Sequence, residues 1–575
     1  MLGVAAALVA SAACSSSGPA GTASPATSAA TSTAGPAGSA PGTTAPAARA
    51  TTSGTTPGIG AAVPAGSFVR PACTPPASTP PVATAVDGTP SDWDVTSFDG
   101  VKIRAHWFPL TGATAAQPAP TVLMGPGWSL PGDTNVGAVG VLGALNISSL
   151  QTAGFNVLTW DPRGFGASEG TVSVNSKEFE GRDVQRLLDW VATQPVARTD
   201  APGDPRAGMV GGSYGGGIQL VTAAIDCRVD ALVPVIAWHS LTTSLYKAET
   251  FKAGWSNILT GSAKSRKVDP HVESATQSAM ATGSLSAEDR AWFEARGPGD
   301  AVASITVPTL FIQGTVDTLF TLDEAVTNYA ILRDKGVPTA MVWFCGGHGM
   351  CLTDAGDPER VTRAGVDWLT RYVKDAPGAA ASAPAPRVDI LDQKGARFVG
   401  DDLPTTGADI TGSGAGTLTL QAGGGSGPAT LPPNGDLLAP IVAGITPAKA
   451  TNAVNVAITP NQASLVVGAP QVTLSYTGTA PAGEKPTRVF AQLVDDATGL
   501  VIGNQVTPIA VTLDGAPHEV TVPLEMIAFS TTAGAAVTLQ LVATTVAYAE
   551  PRLGGTITFD KITAKLPITI GLRAA

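Results

Sequence analysis

The apolar positions of this chain follow two rhythms, one on either side of a Pro/Ala-rich stretch. From about residue 92 to residue 374, short apolar runs such as "TVLM", "FNVLTW", "AGMV" and "TLFI" alternate with segments whose apolar residues recur every three to four positions. In "GRDVQRLLDWVATQP", Val184, Leu187, Leu188 and Val191 share one helical face. Short buried strands alternating with amphipathic helices predict a parallel α/β sheet. "VTRAGVDWLTRYVKD" predicts the helix that closes this region, which we bound at residues 85–376. Residues 240–300 interrupt the alternation with mostly helical character and no clear buried strand, so they predict a cap over the C-terminal edge of the sheet.

Past "KDAPGAAASAPAPR" the period changes to two. Val472, Leu474 and Tyr476 alternate with Thr473, Ser475 and Thr477, and Val489, Ala491 and Leu493 repeat the pattern. Val537, Leu539 and Leu541 do the same, as do Ile557 and Phe559. With Gly/Pro/Asn turns between them, these runs predict an antiparallel β-sandwich over residues 386–575.

Composition adds the N-terminal picture. Residues 15–84 are dominated by Ala, Thr, Ser, Pro and Gly, and up to residue 69 they carry a single charge, Arg49. Such a segment buries too little apolar surface to offset its chain entropy, which predicts a disordered tether. Before it, residues 2–13 form an apolar run too short to cross a bilayer, as in a secretory signal. Cys14 follows two small residues and opens a Ser-rich tract, the position of a lipidated cysteine after signal cleavage; an ordinary secretory signal is the alternative. Residues 1–14 therefore predict export, with a possible membrane tether through Cys14. Net charge is −11 with charged residues at 14%, and no basic stripe is present, which excludes nucleic acid as an expected partner.

The candidate chemistry starts at "GGSYGG", residues 211–216, which fits G-x-S-x-G. A strand-like "AGMV" precedes it and a helix-like "IQLVTAA" follows, the setting in which a serine on a sharp strand-to-helix turn projects its hydroxyl above a sheet. Ser213 is thus the candidate nucleophile. A serine needs a base, and the base needs a carboxylate to orient it. In this arrangement the acid and then the histidine follow the serine along the chain. Of the five histidines, only His348 follows a late sheet strand, in the glycine-rich loop "CGGHGMC". Asp317 ends "LFIQGTVD", a strand and glycine turn, whereas Asp300, Asp323 and Asp334 lack a strand immediately before them. For the developing oxyanion, one donor is expected to be the Tyr214 amide. The second is expected from "MGPGWSLPGD", as Gly127 or Trp128, because Pro126 has no N–H. Trp128 has the further reading of lining an acyl pocket.

"CGGHGMC" also has the spacing of a metal clip. A zinc site would need a fourth ligand and reduced thiolates, and no second Cys/His cluster is present. With Cys14 set aside, four cysteines remain, and an even set in an oxidising compartment suggests two disulfides. Spacing favours Cys345–Cys351, clamping the histidine loop, and leaves Cys73–Cys227 by elimination. No metal and no cofactor is expected. In "WDPRGFGASEG", a buried pairing of Asp161 with Arg163 is expected to shape a loop beside the site.

At "WDPRGFGASEG", "GRDVQRLLDWVATQP", "GGSYGG" and "QGTVD" followed by His348, the chain resembles the Xaa-Pro dipeptidyl-peptidase-like serine hydrolases, the group of the cocaine esterases and α-amino-acid ester hydrolases. "VTLQLVATTVAYAE" and "GTITFDKITAKLPI" look like the closing strands of that group's C-terminal jelly roll. The resemblance implies an α/β-hydrolase fold with a helical cap, followed by an all-β jelly-roll sandwich. It implies Ser213, Asp317 and His348 as the triad, and small-molecule esters, amides or short peptides as substrates. Two departures weigh against dipeptide removal. A disordered tether stands where the true dipeptidyl-peptidases carry a folded N-terminal domain, and no acidic residue is in view to bind a substrate's amino terminus. The expectation is an exported ester or amide hydrolase, with a Xaa-Pro dipeptidyl-peptidase and a catalytically inactive cell-surface binding protein as alternatives.

Overall fold

The computed structural model describes residues 71–76, 79–137, 145–357, 359–375, 385–430 and 439–575. Cys14 and the signal-like run lie outside the described residues. A twelve-stranded sheet forms the centre of the molecule. Its parallel part runs Asn156–Trp160, Thr121–Gly125, Ala207–Gly212, Val229–Val235, Thr309–Gly314, Thr339–Phe344 and Val388–Leu391, in that spatial order. Strands Asn156–Trp160 and Ala207–Gly212 are buried along their whole length, as expected of strands covered on both faces. Helix Glu180–Val191 packs Val184, Leu187, Leu188 and Val191 into the core on one side of the sheet, the face read from the sequence. Glu359–Leu369 covers the other side with Val361, Trp368 and Leu369. Between Val229–Val235 and Thr309–Gly314 the chain forms the helices Leu241–Leu245, Ala253–Ser262, Pro270–Thr282 and Ala287–Glu294, the cap.

Two boundaries differ from the sequence reading. Residues 388–400, assigned above to the sandwich, extend the central sheet: Val388–Leu391 pairs in parallel with Thr339–Phe344, and Arg397–Gly400 adds antiparallel beyond it. The short strand Arg573–Ala574 then pairs with Arg397–Gly400. Alternation alone could not separate these edge strands from those of the sandwich, because period two describes a strand and not its partner. The tether also ends earlier than residue 84. Cys73 is disulfide-bonded to Cys227, Arg186 Nη1 donates to the Thr79 carbonyl, and Ala83–Ala85 joins the sheet edge. That joint had no apolar signature, since a disulfide and a main-chain pairing hold it.

The second region is built from a two-stranded antiparallel pair, Ser464–Gly468 with Ile527–Thr531, and two larger antiparallel sheets. One orders Thr405–Thr419, Thr556–Ile570, Gln471–Thr479 and Asp514–Pro523, and the other centres on Val537–Val542 and Arg488–Asp495. Val472, Leu474, Tyr476, Val489, Leu493, Leu539, Ile557 and Phe559 share the core between them, as their alternation predicts. Strand Arg488–Asp495 is nevertheless buried on both faces. Its outer face carries Phe490, stacked 5.9 Å from Tyr548, and Gln492, which bonds Ser426 and Gln540 at 2.5 and 2.9 Å.

Candidate active site

Ser213 sits where strand Ala207–Gly212 turns into helix Tyr214–Ile225, with φ at 56°. A left-handed backbone is costly for a residue with a side chain, and such strain persists where the surroundings over-determine it. The crowding is visible at Gly215, where any Cβ would overlap the Gly125 carbonyl. Hence the small residues around the serine are a packing requirement of this turn. They leave the Ser213 hydroxyl at the C-terminal edge of the sheet.

His348 lies in the loop after strand Thr339–Phe344, and Asp317 in the loop after Thr309–Gly314, the adjacent parallel strand. The sequence brings these three residues from positions 135 and 31 apart into one hydrogen-bonded line. His348 Nε2 lies 2.8 Å from Ser213 Oγ, and His348 Nδ1 lies 2.8 Å from Asp317 Oδ2. The His348 amide donates to the same Oδ2 at 3.1 Å. Asp317 Oδ1 accepts from the Leu319 and Phe320 amides, both at 2.9 Å. All three residues are buried, at 4%, 0% and 2% exposure in chain order, so the line is shielded from bulk water. Phe320 and Trp255 meet the imidazole edge-on at 5.1 and 5.7 Å between ring centres.

The other four histidines are engaged elsewhere. His106 bridges Asp92 and Asp161, His239 meets Asn328, His271 meets Asp289, and His518 meets Asp514. Of the rival acids, Asp323 faces Lys247 and Asp334 faces Arg333. Cys345 and Cys351 form a disulfide, which removes the thiolates a metal clip would need; Cys73–Cys227 is the second pair. The expected Asp161–Arg163 pairing does not form. Arg163 instead binds Asp183 through Nε and Nη2, each at 2.7 Å, and Asp99 at 3.1 Å. Asp161 accepts from the Gly132 and Ala167 amides at 2.7 and 2.6 Å. Arg163 stands in the turn that the Phe165 amide closes on the Pro162 carbonyl, and helix Glu180–Val191 supplies its carboxylate, Asp183.

For the oxyanion, the amides of Tyr214, Gly127 and Trp128 have no protein acceptor among the described residues. The Tyr214 amide opens its helix, where unpaired N–H groups and the helix dipole favour negative charge. The Trp128 ring also takes its other expected place. It packs edge-on against Tyr214 at 5.3 Å, donates from Nε1 to the Leu259 carbonyl at 2.9 Å, and walls the cavity over Ser213.

That cavity is roofed by the cap: Leu241 and Leu245, Leu259, Val272 and Ala275, and Phe293 come from its successive helices. Trp238, Leu319 and Phe320 complete the apolar wall. Among the described residues, no side chain lining it carries a charge at neutral pH. Behind Tyr214, the buried Glu180 accepts from the Ser173 and Ser176 amides at 2.5 and 3.0 Å. Burial pushes its carboxyl up to about 7, and the nearby Asp183 charge adds to the effect. Glu180 touches no reacting atom, and nothing local in "SKEFEGRD" marks it as buried.

Sequence reasoning missed the supports of the acid and histidine loops. Gln505 Nε2, from the sandwich region, donates to the Asp317 carbonyl at 2.7 Å, and Asn504 Nδ2 donates to the Met350 carbonyl at 2.8 Å. Lys252 Nζ, at the start of a cap helix, donates to the Thr318 and Leu319 carbonyls at 3.0 and 3.1 Å. No local pattern announces such contacts.

Residues 99–349 match the family model for X-Pro dipeptidyl-peptidase (S15 family). A curated relative, the polyketide transferase grgF of Penicillium sp., is 27% identical over 147 residues, which are 25% of this chain and 44% of that protein, so less than half of its length is matched. Among solved structures, an α-amino acid ester hydrolase superposes with a TM-score of 0.59 at 14% identity, covering 86% of this chain and 98% of its own. A CocE/NonD family hydrolase from Staphylococcus aureus gives 0.57 at 13% identity, covering 84% and 93%. At such identities the structural likeness speaks for the fold, an α/β-hydrolase fold with a large β-rich region beside it. Taken with the family match, the chain resembles the X-Pro dipeptidyl-peptidase (S15) family over residues 99–349, which include Ser213, Asp317 and His348.

Proposed function

We propose that the chain cleaves esters or amides with an uncharged, apolar acyl group, through an acyl-enzyme on Ser213. The observation that carries this reading is the continuous line from Ser213 Oγ through both nitrogens of His348 to Asp317 Oδ2. In the first half-reaction His348 Nε2 takes the hydroxyl proton as Oγ attacks the substrate carbonyl. Asp317 accepts from Nδ1–H and stabilises the imidazolium. The oxyanion is received by the Tyr214 amide together with that of Gly127 or Trp128. As the tetrahedral intermediate collapses, Nε2 returns the proton to the leaving alcohol or amine. In the second half-reaction the same nitrogen takes a proton from water as it attacks the ester carbon, then returns it to Ser213 Oγ as the acyl–oxygen bond breaks and the acid leaves.

The acyl preference rests on the cavity wall. A dipeptidyl-peptidase must bind a substrate ammonium, and a cation moved into an apolar cavity without a carboxylate is strongly disfavoured. The wall over Ser213 offers aromatic and aliphatic carbons with a few hydroxyls. A Xaa-Pro dipeptidyl-peptidase remains the second reading, since the family match points to it. We read the second region as the family's jelly roll and the chain as an exported protein. Lipid on Cys14 would hold it near a membrane through the segment before Cys73. The two disulfides support folding in an oxidising compartment.

A fluorophosphonate probe tests the nucleophile: wild type labels and Ser213→Ala does not, and equal labelling of both would remove Ser213 from the mechanism. Turnover of aryl esters of bulky apolar acids above Ala-Pro-anilide supports the ester reading, and the reverse order supports the peptidase.

A further inference from the structure

We propose that Lys252 is a positioning residue for Asp317, its ammonium acting on the carboxylate through two peptide groups of the loop between them. The inference rests on the triad reading above.

The geometry is a closed relay. Lys252 Nζ donates to the Thr318 and Leu319 carbonyls at 3.0 and 3.1 Å. Those two carbonyls belong to the same peptide groups whose N–H bonds, on Leu319 and Phe320, donate to Asp317 Oδ1 at 2.9 Å each. Each peptide therefore has its negative end on the ammonium and its positive end on the carboxylate. A hydrogen bond accepted at one end of a peptide polarises the N–H at the other and strengthens the bond it donates. Oδ1 is thus anchored by two reinforced donors, which leaves Oδ2 turned towards His348. A serine–histidine pair needs its carboxylate both ionised and correctly turned, and this relay serves both needs from outside the contact shell of the substrate.

Lys252 is held where it is by the cap. It stands at the start of helix Ala253–Ser262, its amide donates to the Leu245 carbonyl at 2.8 Å, and it is 2% exposed. From the same turn Trp255 donates to Thr318 Oγ1 at 3.0 Å and packs against the His348 ring. The groups facing the ammonium come from every element around it: Asp317 and Glu324 from the α/β region, Lys247 from the cap, and Glu525 and the Tyr548 ring from the sandwich region. Glu525 is itself bound to Lys247 at 2.6 Å, so the two peptide carbonyls are the hydrogen-bonded partners of Lys252. Burial pushes the Lys252 ammonium down to about 8, against the pull of Glu525. The relay should therefore lose its charge in mild alkali, where a solvent-exposed lysine would keep it.

The test is the pH profile of kcat with an uncharged aryl ester, from about pH 6 to about pH 10, for wild type, Lys252→Met and Lys252→Arg. Wild-type kcat is expected to fall as pH rises through about 8. Lys252→Met should lower kcat about tenfold with KM little changed, and should show no such fall. Lys252→Arg, whose guanidinium keeps its proton, should retain most of the activity and hold it to about pH 10. A wild-type profile flat over the whole range overturns the proposal, as does an unchanged alkaline fall in either variant. Where Lys252→Met does not fold, wild type and Lys252→Arg decide, and where neither variant folds the wild-type profile decides alone. Failure of the triad reading looks different, since Ser213→Ala would then retain turnover.

Discussion

The loop that carries Asp317 and the loop that carries His348 meet at one imidazole, yet they are secured by opposite means. The histidine loop is closed on itself by Cys345–Cys351, a covalent clip spanning six positions. Its glycines are forced by contact as well, because any Cβ at Gly349 would overlap the Val316 carbonyl. The acid loop has no covalent restraint. It is held by polar groups from elsewhere, with Gln505 on the Asp317 carbonyl from one side and Lys252 on the next two carbonyls from the other. The histidine loop carries its own clip beside one bond from the sandwich region, Asn504 Nδ2 to the Met350 carbonyl, whereas the acid loop has only such distant polar contacts to hold it. The base therefore has local insurance, while the acid is where the cap and the sandwich region bear most directly on the chemistry.

Three changes would break or sharpen that contrast. Asp317→Asn keeps the shape but offers His348 a donor, which favours the wrong tautomer, so kcat should fall about ten-thousandfold in steady-state assays. A loss below about a hundredfold would mean that the acid loop matters less than its contacts imply. Opening the clip with Cys345→Ser/Cys351→Ser should cost about tenfold in kcat through histidine misplacement. Denaturant titration should show about 2 kcal/mol of lost stability, the chain-entropy value for so short a loop. The smallest effect is expected at Gln505→Leu. Losing one hydrogen bond to a buried carbonyl is worth about 1 kcal/mol, or about fivefold in kcat, with KM unchanged. If Gln505→Leu proves more damaging than the opened clip, the dependence of the acid loop on the sandwich region is stronger than its hydrogen bonds suggest.

What could be read from the sequence follows the same division. Ser213, Asp317 and His348 were legible because each is announced locally, by a strand, a glycine turn and the order along the chain. The cysteine pairing was legible because spacing and elimination leave few choices. Core positions such as Leu187, Leu474 and Leu539 were legible from period alone. Polar partnerships were not. Lys252 in "AETFKAGW" looks like a solvated charge, and Arg163 in "DPRGFG" looks closest to Asp161, yet its carboxylate lies 20 positions away. Gln505 acts on a residue 188 positions earlier. A long polar side chain can satisfy itself in many places, so its partner is fixed by the completed fold. The edge strands 388–400 escaped for a similar reason, because a strand pattern does not name its neighbour.

The Cys73–Cys227 bridge also sets an orientation. Cys227 lies between the end of helix Tyr214–Ile225 and the start of strand Val229–Val235, at the edge where the parallel strands begin. Ser213, Asp317 and His348 lie where the strands finish, about 20 Å away for strands of this length. A tether of the kind proposed above, running through the residues ahead of Cys73, would therefore pull on the side of the sheet opposite the triad.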